Sequence, residues 1–317
     1  MDLFFVLGGL LALVVGGDVL VRGAVNVARA LRVPPMVIGL TLVGFGTSAP
    51  ELVTSLQAAL SGSPGLAVGN VVGSNIGNVL LILGIAALIA PIAVDTRALR
   101  RDGAVLAGAT LLGLWAMAQG VITRPTGALF VAGILAYVGT TLLLERRRAS
   151  DTGAIYAAEA DLLPMQSPRF GRDALLTIAG LALTVLGARF LVEGAVGIAS
   201  AVGISETVIG LTVVAIGTSM PELVTSVMAV RRGEGAVALG NVIGSNIFNI
   251  LGILGITALV VPIDVPAQIL SVDGWVMAAA TVALLVFATS GARVSRREAA
   301  ALLASYGAYM GWLFMAA

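Results

Sequence analysis

Gly39-Leu-Thr-Leu-Val-Gly-Phe-Gly-Thr-Ser-Ala-Pro-Glu-Leu-Val-Thr-Ser55 recurs 171 positions later as Gly210-Leu-Thr-Val-Val-Ala-Ile-Gly-Thr-Ser-Met-Pro-Glu-Leu-Val-Thr-Ser226. The same offset, without a gap, sets Gly69-Asn-Val-Val-Gly-Ser-Asn-Ile-Gly-Asn78 on Gly240-Asn-Val-Ile-Gly-Ser-Asn-Ile-Phe-Asn249. From Gly39 to Leu80, 25 of 42 positions are identical, far more than shared apolar composition produces. Gly16 with Gly187 and Pro91 with Pro262 carry the register outward. Each half of the chain is therefore one copy of a single unit.

The surrounding composition is that of a membrane protein. Of 317 residues, 58% are hydrophobic and only 11% charged, with mean hydropathy +1.04; soluble domains carry about 25% charged residues. Ten apolar stretches lie near 3 to 30, 35 to 60, 65 to 90, 102 to 120, 126 to 144, 174 to 201, 206 to 230, 235 to 261, 270 to 289 and 298 to 316. Each approaches the ~20 residues a helix needs to cross a bilayer. The expected fold is all-α and polytopic. Residues 1–144 form a first five-helix repeat with motifs at 39–55 and 69–80. Residues 145–173, with Glu145-Arg-Arg-Arg148, Pro164 and Pro168, read as a solvated cytoplasmic linker. Residues 174–317 form the second repeat, with motifs at 210–226 and 240–251.

Arginine sets the orientation, because basic residues flanking spans stay in the cytoplasm. Alternate loops collect 15 arginines on one side, from Arg29 and Arg32 through to Arg293, Arg296 and Arg297, against Arg124 alone on the other. Both termini are predicted outside the cytoplasm, in a plasma membrane. Five spans per repeat is odd, so the second copy enters the membrane from the opposite face. Inverted repeats with a site at their midplane interface are a common architecture of secondary transporters.

The residues that are missing restrict the chemistry. There is no Cys and no His, and all 18 basic residues are arginine. Thiolate and imidazole metal sites, disulfides, Cys or His catalysis, Schiff bases and a Walker-type lysine are excluded. Polar chemistry is left to oxygen, no cofactor is expected, and no segment suits a nucleotide or a nucleic acid. Glu51 and Glu222 fall near mid-bilayer, where an uncompensated carboxylate costs on the order of several kcal/mol. Neither motif contains a basic residue, so a bound cation or a proton is the natural compensator. Pro50 and Pro221 precede these glutamates and remove a backbone donor, freeing the carbonyls of Gly46 and Gly217. Helical spacing predicts one stripe of Thr47, Glu51 and Ser55 and another of Thr218, Glu222 and Ser226. The next helix of each repeat carries Asn70, Ser74 and Asn78, or Asn241, Ser245 and Asn249. Ca²⁺ accepts 6 to 8 oxygens in flexible geometry, and monovalent ions could share the same oxygens. Ions that compete for shared ligands at an alternating-access site are exchanged.

The two G-T-S-x-P-E and the two G-N-x-x-G-S-N-I-x-N motifs resemble the α-repeats of the cation/calcium exchanger superfamily, most closely its sodium/calcium exchanger branch. That resemblance implies Ca²⁺ exchange against Na⁺, with the first and sixth helices moving against the other eight. By position it implies Glu51 and Glu222 as central Ca²⁺ ligands, and Thr47 and Thr218 acting mainly through backbone oxygen. Ser48, Ser219, Ser74 and Ser245 would serve mainly Na⁺, and Asn78 and Asn249 occupy the remaining site positions. Some members have aspartate at the second of these; this chain has asparagine at both. The alternatives are Ca²⁺/H⁺ or K⁺-dependent exchange on the same site and, from another class, a cation channel. Ser55, Ser226 and the glycine stripes read as packing residues, and Asn70 and Asn241 equally as interhelical glue or ligands. Asp18 with Arg22, and Arg189 with Glu193, are expected to form one local i, i+4 pair in each helix.

Overall fold

The computed structural model describes residues 2–31, 35–156, 170–201 and 215–316. A largely apolar run of 30 residues, with Asp2 in the first turn and Arg29 in the last, makes α1 (Asp2–Leu31). Both charges complement the helix dipole. The second span is broken: α2 (Met36–Thr47) and α3 (Ala49–Leu60) meet at 41°. Pro64 opens α4 (Pro64–Ile89), and the Asp95 carboxylate accepts from the N–H groups of Arg97 and Ala98 to cap α5 (Thr96–Ala118). Next comes α6 (Arg124–Tyr156).

The second half repeats this layout. It begins with α7 (Phe170–Ala201), followed by the short α8 (Ala215–Thr218) and α9 (Met220–Arg231). Then come α10 (Gly235–Val260) and α11 (Ile269–Ala292), and α12 (Arg296–Ala316). The ten predicted spans are thus the architecture, with the seventh described from Ala215 onward. The largest boundary difference is at α6, which continues to Tyr156 rather than ending near 144; α5 also begins at Thr96 rather than near 102, and α7 at Phe170 rather than near 174. Residues 145–156 contain no proline and are rich in Arg and Ala, which propagate a helix readily. Of the predicted linker, 157–169 lie outside the described residues.

Two small strand pairs establish the inversion. Strand β1 (Ile92–Ala93) pairs antiparallel with β4 (Arg293–Val294), and β2 (Val121–Ile122) pairs with β3 (Ile263–Asp264). β1 and β3 are repeat equivalents, as are β2 and β4. Each pair therefore joins a loop of one repeat to the non-equivalent loop of the other, which requires the copies to run in opposite senses. The same exchange appears in side chains. Arg124 donates to the last carbonyls of α10, at Leu259 and Val260, while Arg296 donates to Leu88 and Ile89 at the end of α4.

A close backbone approach joins the two repeats' first helices. In α1, Gly9, Gly16 and Gly23 are seven residues apart, and so are Gly180, Gly187 and Gly194 in α7. A Cβ on Gly16 would stand 2.7 Å from the Thr184 nitrogen, and one on Gly187 2.8 Å from the Leu13 nitrogen. Small residues at this spacing let antiparallel helices touch along their whole length. Outward-facing Phe4, Leu11, Leu111, Leu135, Leu175 and Trp275 are all exposed, as expected of a surface whose solvent is lipid.

Candidate cation-binding site

In both repeats the helix stops at the serine of the G-T-S motif. Ser48 has φ −82 and ψ 7, and Ser219 has φ −87 and ψ 5, leaving Pro50 and Pro221 in the first turn of a new helix. Proline is favoured there, because its missing N–H would have no intrahelical partner. Thr47 and Glu51 therefore do not share one continuous helical stripe. The break also brings in Ser48, which regular helical spacing would aim elsewhere.

The two breaks face one another across the repeat interface. Ser48 Oγ donates to Glu222 Oε1 at 2.8 Å, and Ser219 Oγ donates to Glu51 Oε1 at 3.1 Å. Each glutamate is thereby held by the opposite repeat, and neither half makes the site alone. Both are 1% exposed. Their other oxygens, Glu51 Oε2 and Glu222 Oε2, are buried with no hydrogen-bond partner, as are Asn78 Oδ1 and Asn249 Oδ1. Buried acceptors without donors are rare and costly. Here four of them occur as two repeat-related pairs.

Asparagines hold the frame. Asn70 Nδ2 donates to the Glu51 carbonyl at 3.3 Å and to Ser55 Oγ at 2.9 Å; Asn241 Nδ2 donates to the Glu222 carbonyl at 3.2 Å and to Ser226 Oγ at 2.9 Å. Asn70, Asn241, Ser55 and Ser226 are thus tethers between the broken helices and α4 or α10, so Ser55 and Ser226 do more than pack. Thr47 Oγ1 donates within its own helix to Val43 and Gly44 carbonyls and lies 3.2 Å from Asn241 Oδ1. Its hydroxyl is committed, and its backbone oxygen is the group left at the break. Thr218 occupies the equivalent position and is buried. Ser245 Oγ donates to the Gly44 carbonyl at 3.1 Å, whereas Ser74 Oγ accepts from Ser219 at 3.4 Å. Asn78 and Asn249 open π-helical turns, Asn78–Leu83 and, one residue after its start, Phe248–Leu254. Such turns are frequent at functional sites. Of the ten predicted site residues, Ser48 with Glu222, and Ser219 with Glu51 and Ser74, are joined directly by hydrogen bonds, while Asn78 and Asn249 bond to Asn246 and Asn75 of the opposite repeat.

The expected local ion pairs are half right. Asp18 pairs with Arg22 at 2.9 Å, but it also pairs with Arg232 of the α9–α10 loop. Arg29 adds a contact to Glu234 of that loop at 3.3 Å. Among the described residues no ion pair joins Arg189 to Glu193, which corrects the expectation for the sixth helix. The physical reason is local: Arg232 and Glu234 have Ser61 and Ser63 as their repeat equivalents, so the charge environment of α1 is not reproduced around α7.

Sequence reasoning passed over two further sets. Asn75 and Asn246, both buried, each donate to the other's backbone carbonyl. Buried Asp102 accepts from Tyr137 at 3.2 Å and Asp273 accepts from Tyr309 at 2.9 Å. The signal for both lay in the repeat: Asn75 with Asn246 and Asp102 with Asp273 obey the 171 offset, and the tyrosines are 172 apart.

The family model described as sodium/calcium exchanger protein matches residues 1–143 and 173–315, the two repeats without their connection. The chain belongs to the sodium/calcium exchanger family. A chain of Alkalimonas amylolytica, CaxA, is 42% identical over 313 residues, 98% of each protein. The sodium/calcium exchanger MaX1 of Methanosarcina acetivorans is 36% identical over 96% of each. The solved sodium-calcium exchanger NCX_Mj, soaked with Na⁺ and Sr²⁺, superposes with TM-score 0.85 at 31% identity over 98% of this chain and 97% of that one. Like other exchangers of the family, this chain is a multi-pass membrane transporter.

Proposed function

We propose that this chain exchanges Ca²⁺ for Na⁺ by alternating access, with Glu51 and Glu222 as the central Ca²⁺ ligands. The observation that carries the reading is the set of four unpartnered buried oxygens, two carboxylate on the broken helices and two carboxamide on α4 and α10. Two carboxylates balance one divalent charge, and an oxygen-only donor set in flexible geometry suits Ca²⁺ better than Mg²⁺. Thr47 and Thr218 add backbone oxygens at the breaks. Ser48, Ser219, Ser74 and Ser245, with the oxygens of Asn78 and Asn249, serve the Na⁺ ions that displace Ca²⁺. Relatives with solved ion-soaked structures support this cation pair.

The membrane is the plasma membrane, with both termini outside the cytoplasm and the arginine-rich connection inside; the arginine asymmetry supports this orientation. In proteoliposomes, Ca²⁺ uptake is expected to follow an imposed outward Na⁺ gradient. Uptake that persists with only a pH gradient would instead indicate proton coupling. A requirement for K⁺ would indicate a third transported ion, and uptake without any counter-ion a channel.

A further inference from the structure

Asn78 and Asn249 contribute to the site only if each turns its carbonyl oxygen, rather than its NH₂ group, toward the cation. Nothing in their own helical position decides this, because a carboxamide fits either way round. The decision is made by the pair behind them. Asn75 Nδ2 lies 3.3 Å from the Asn246 carbonyl, and Asn246 Nδ2 lies 3.3 Å from the Asn75 carbonyl. A backbone carbonyl can only accept, so both side chains must present their nitrogen to it. Their Oδ1 atoms are then turned the other way, where Asn249 Nδ2 meets Asn75 Oδ1 and Asn78 Nδ2 meets Asn246 Oδ1, each at 3.0 Å. With its nitrogen claimed, each outer asparagine leaves Oδ1 buried and without a protein partner, free to accept a cation.

We infer that Asn75 and Asn246 are positioning residues that set the cation specificity of the site by fixing the amide orientation of Asn249 and Asn78. All four hydrogen bonds of the frame cross the repeat interface, so the ligand of one repeat is oriented by the other. It also demands a hydrogen-bond donor at 78 and 249, since what faces them is an acceptor. The site is thereby biased toward a neutral carboxamide at both positions, with its central charge confined to the two glutamates.

This inference rests on the proposed cation site, and its test keeps the two apart. Wild-type protein and the variants Asn246→Ala, Asn246→Leu, Asn78→Ala and Asn246→Ala/Asn78→Ala are purified in detergent. Each is assayed for Ca²⁺ binding by isothermal titration and for Na⁺-driven Ca²⁺ uptake after reconstitution. Either Asn246 variant is expected to weaken Ca²⁺ binding and raise the KM for Ca²⁺ by about tenfold or more, the usual effect of removing a group that orients a metal ligand, with kcat nearly unchanged. The double variant is expected to be no weaker than Asn78→Ala alone, because the residue that Asn246 orients is already gone. Additive losses in the double variant would overturn the inference. So would an Asn246 variant with unchanged KM and lowered kcat or melting temperature, which is what a merely structural role gives. Failure of wild-type protein to bind Ca²⁺ at all would count against the cation site itself.

Discussion

The glycine faces of α10 and α4 are built on the same motif, Gly240 to Asn249 and Gly69 to Asn78, and their surroundings differ. Against α2, the glycines of α10 leave no room: a Cβ on Gly244 would run into the Leu40 carbonyl and one on Gly240 into that of Met36, while one on Gly39 would stand 2.6 Å from the Val237 oxygen. Phe45 stacks on Phe248 at 4.7 Å, closing the same contact. On α4, the equivalent Gly69 and Gly73 have nothing within 4 Å among the described residues, and Gly73 is exposed where Gly244 is buried. Ser219 and Asn70 are likewise partly exposed, while Ser48 and Asn241 are completely buried. One symmetric sequence thus presents a closed contact between α2 and α10 and a more exposed face on α4, whose repeat-equivalent partner at 207–214 lies outside the described residues. Because the motifs are near-identical, an arrangement with the two contacts exchanged would use the same residue types, as a bistable transporter needs.

The largest effect falls on what the two halves share. Glu51→Gln and Glu222→Gln are each expected to reduce Na⁺-driven Ca²⁺ uptake to background while leaving the protein folded by size exclusion. Full turnover in either variant would break the equivalence of the repeats at the site. Next, Gly244→Ala overfills the shut interface, and such overpacking costs about 1–3 kcal/mol. Its melting temperature should fall, whereas Gly73→Ala on the exposed face of α4 should melt as wild type; equal behaviour would remove the asymmetry. The chain has no cysteine, so single-cysteine labelling has no background. Gly73→Cys should react with an impermeant thiol reagent added outside, and excess Ca²⁺ should slow it.

The smallest effect concerns the inner ionic contacts. Asp18, shared between Arg22 and Arg232, ties α1 to the α9–α10 loop on the shut side, and Arg29 with Glu234 does the same. These side chains are partly exposed, so the tie contributes about 0–1 kcal/mol. Asp18→Asn should lower Gly73→Cys labelling by no more than about fivefold as the population moves toward inner opening. Increased labelling would reverse the proposed sense of the tie.

The span count, the inversion and the glutamate pair were legible because they repeat: a second copy in register separates a built feature from composition. The sequence understated the break. Pro50 suggested a loosened turn, whereas the helix ends at Ser48 and restarts, and only that restart carries the serine across to Glu222. Partners set by tertiary packing were invisible to helical spacing. Nothing local to Arg232 points to Asp18, and nothing local to Arg124 points to the last carbonyls of α10. Asn75 stood inside a quoted motif, yet it lies one position off the stripe of Asn70, Ser74 and Asn78. Its role follows from a backbone carbonyl 171 residues away.

The paired loop strands bear on how the molecule is made. Strand β1 is synthesised early, but its partner β4 follows about 200 residues later. The loop after the third span must therefore wait, unpaired, until most of the second half has left the ribosome. A first half expressed alone would have all five of its helices and nowhere to register them. Assembly is completed only as the last span arrives, and the ancestral single-repeat chain would have had to solve the same problem with a second molecule inserted upside down.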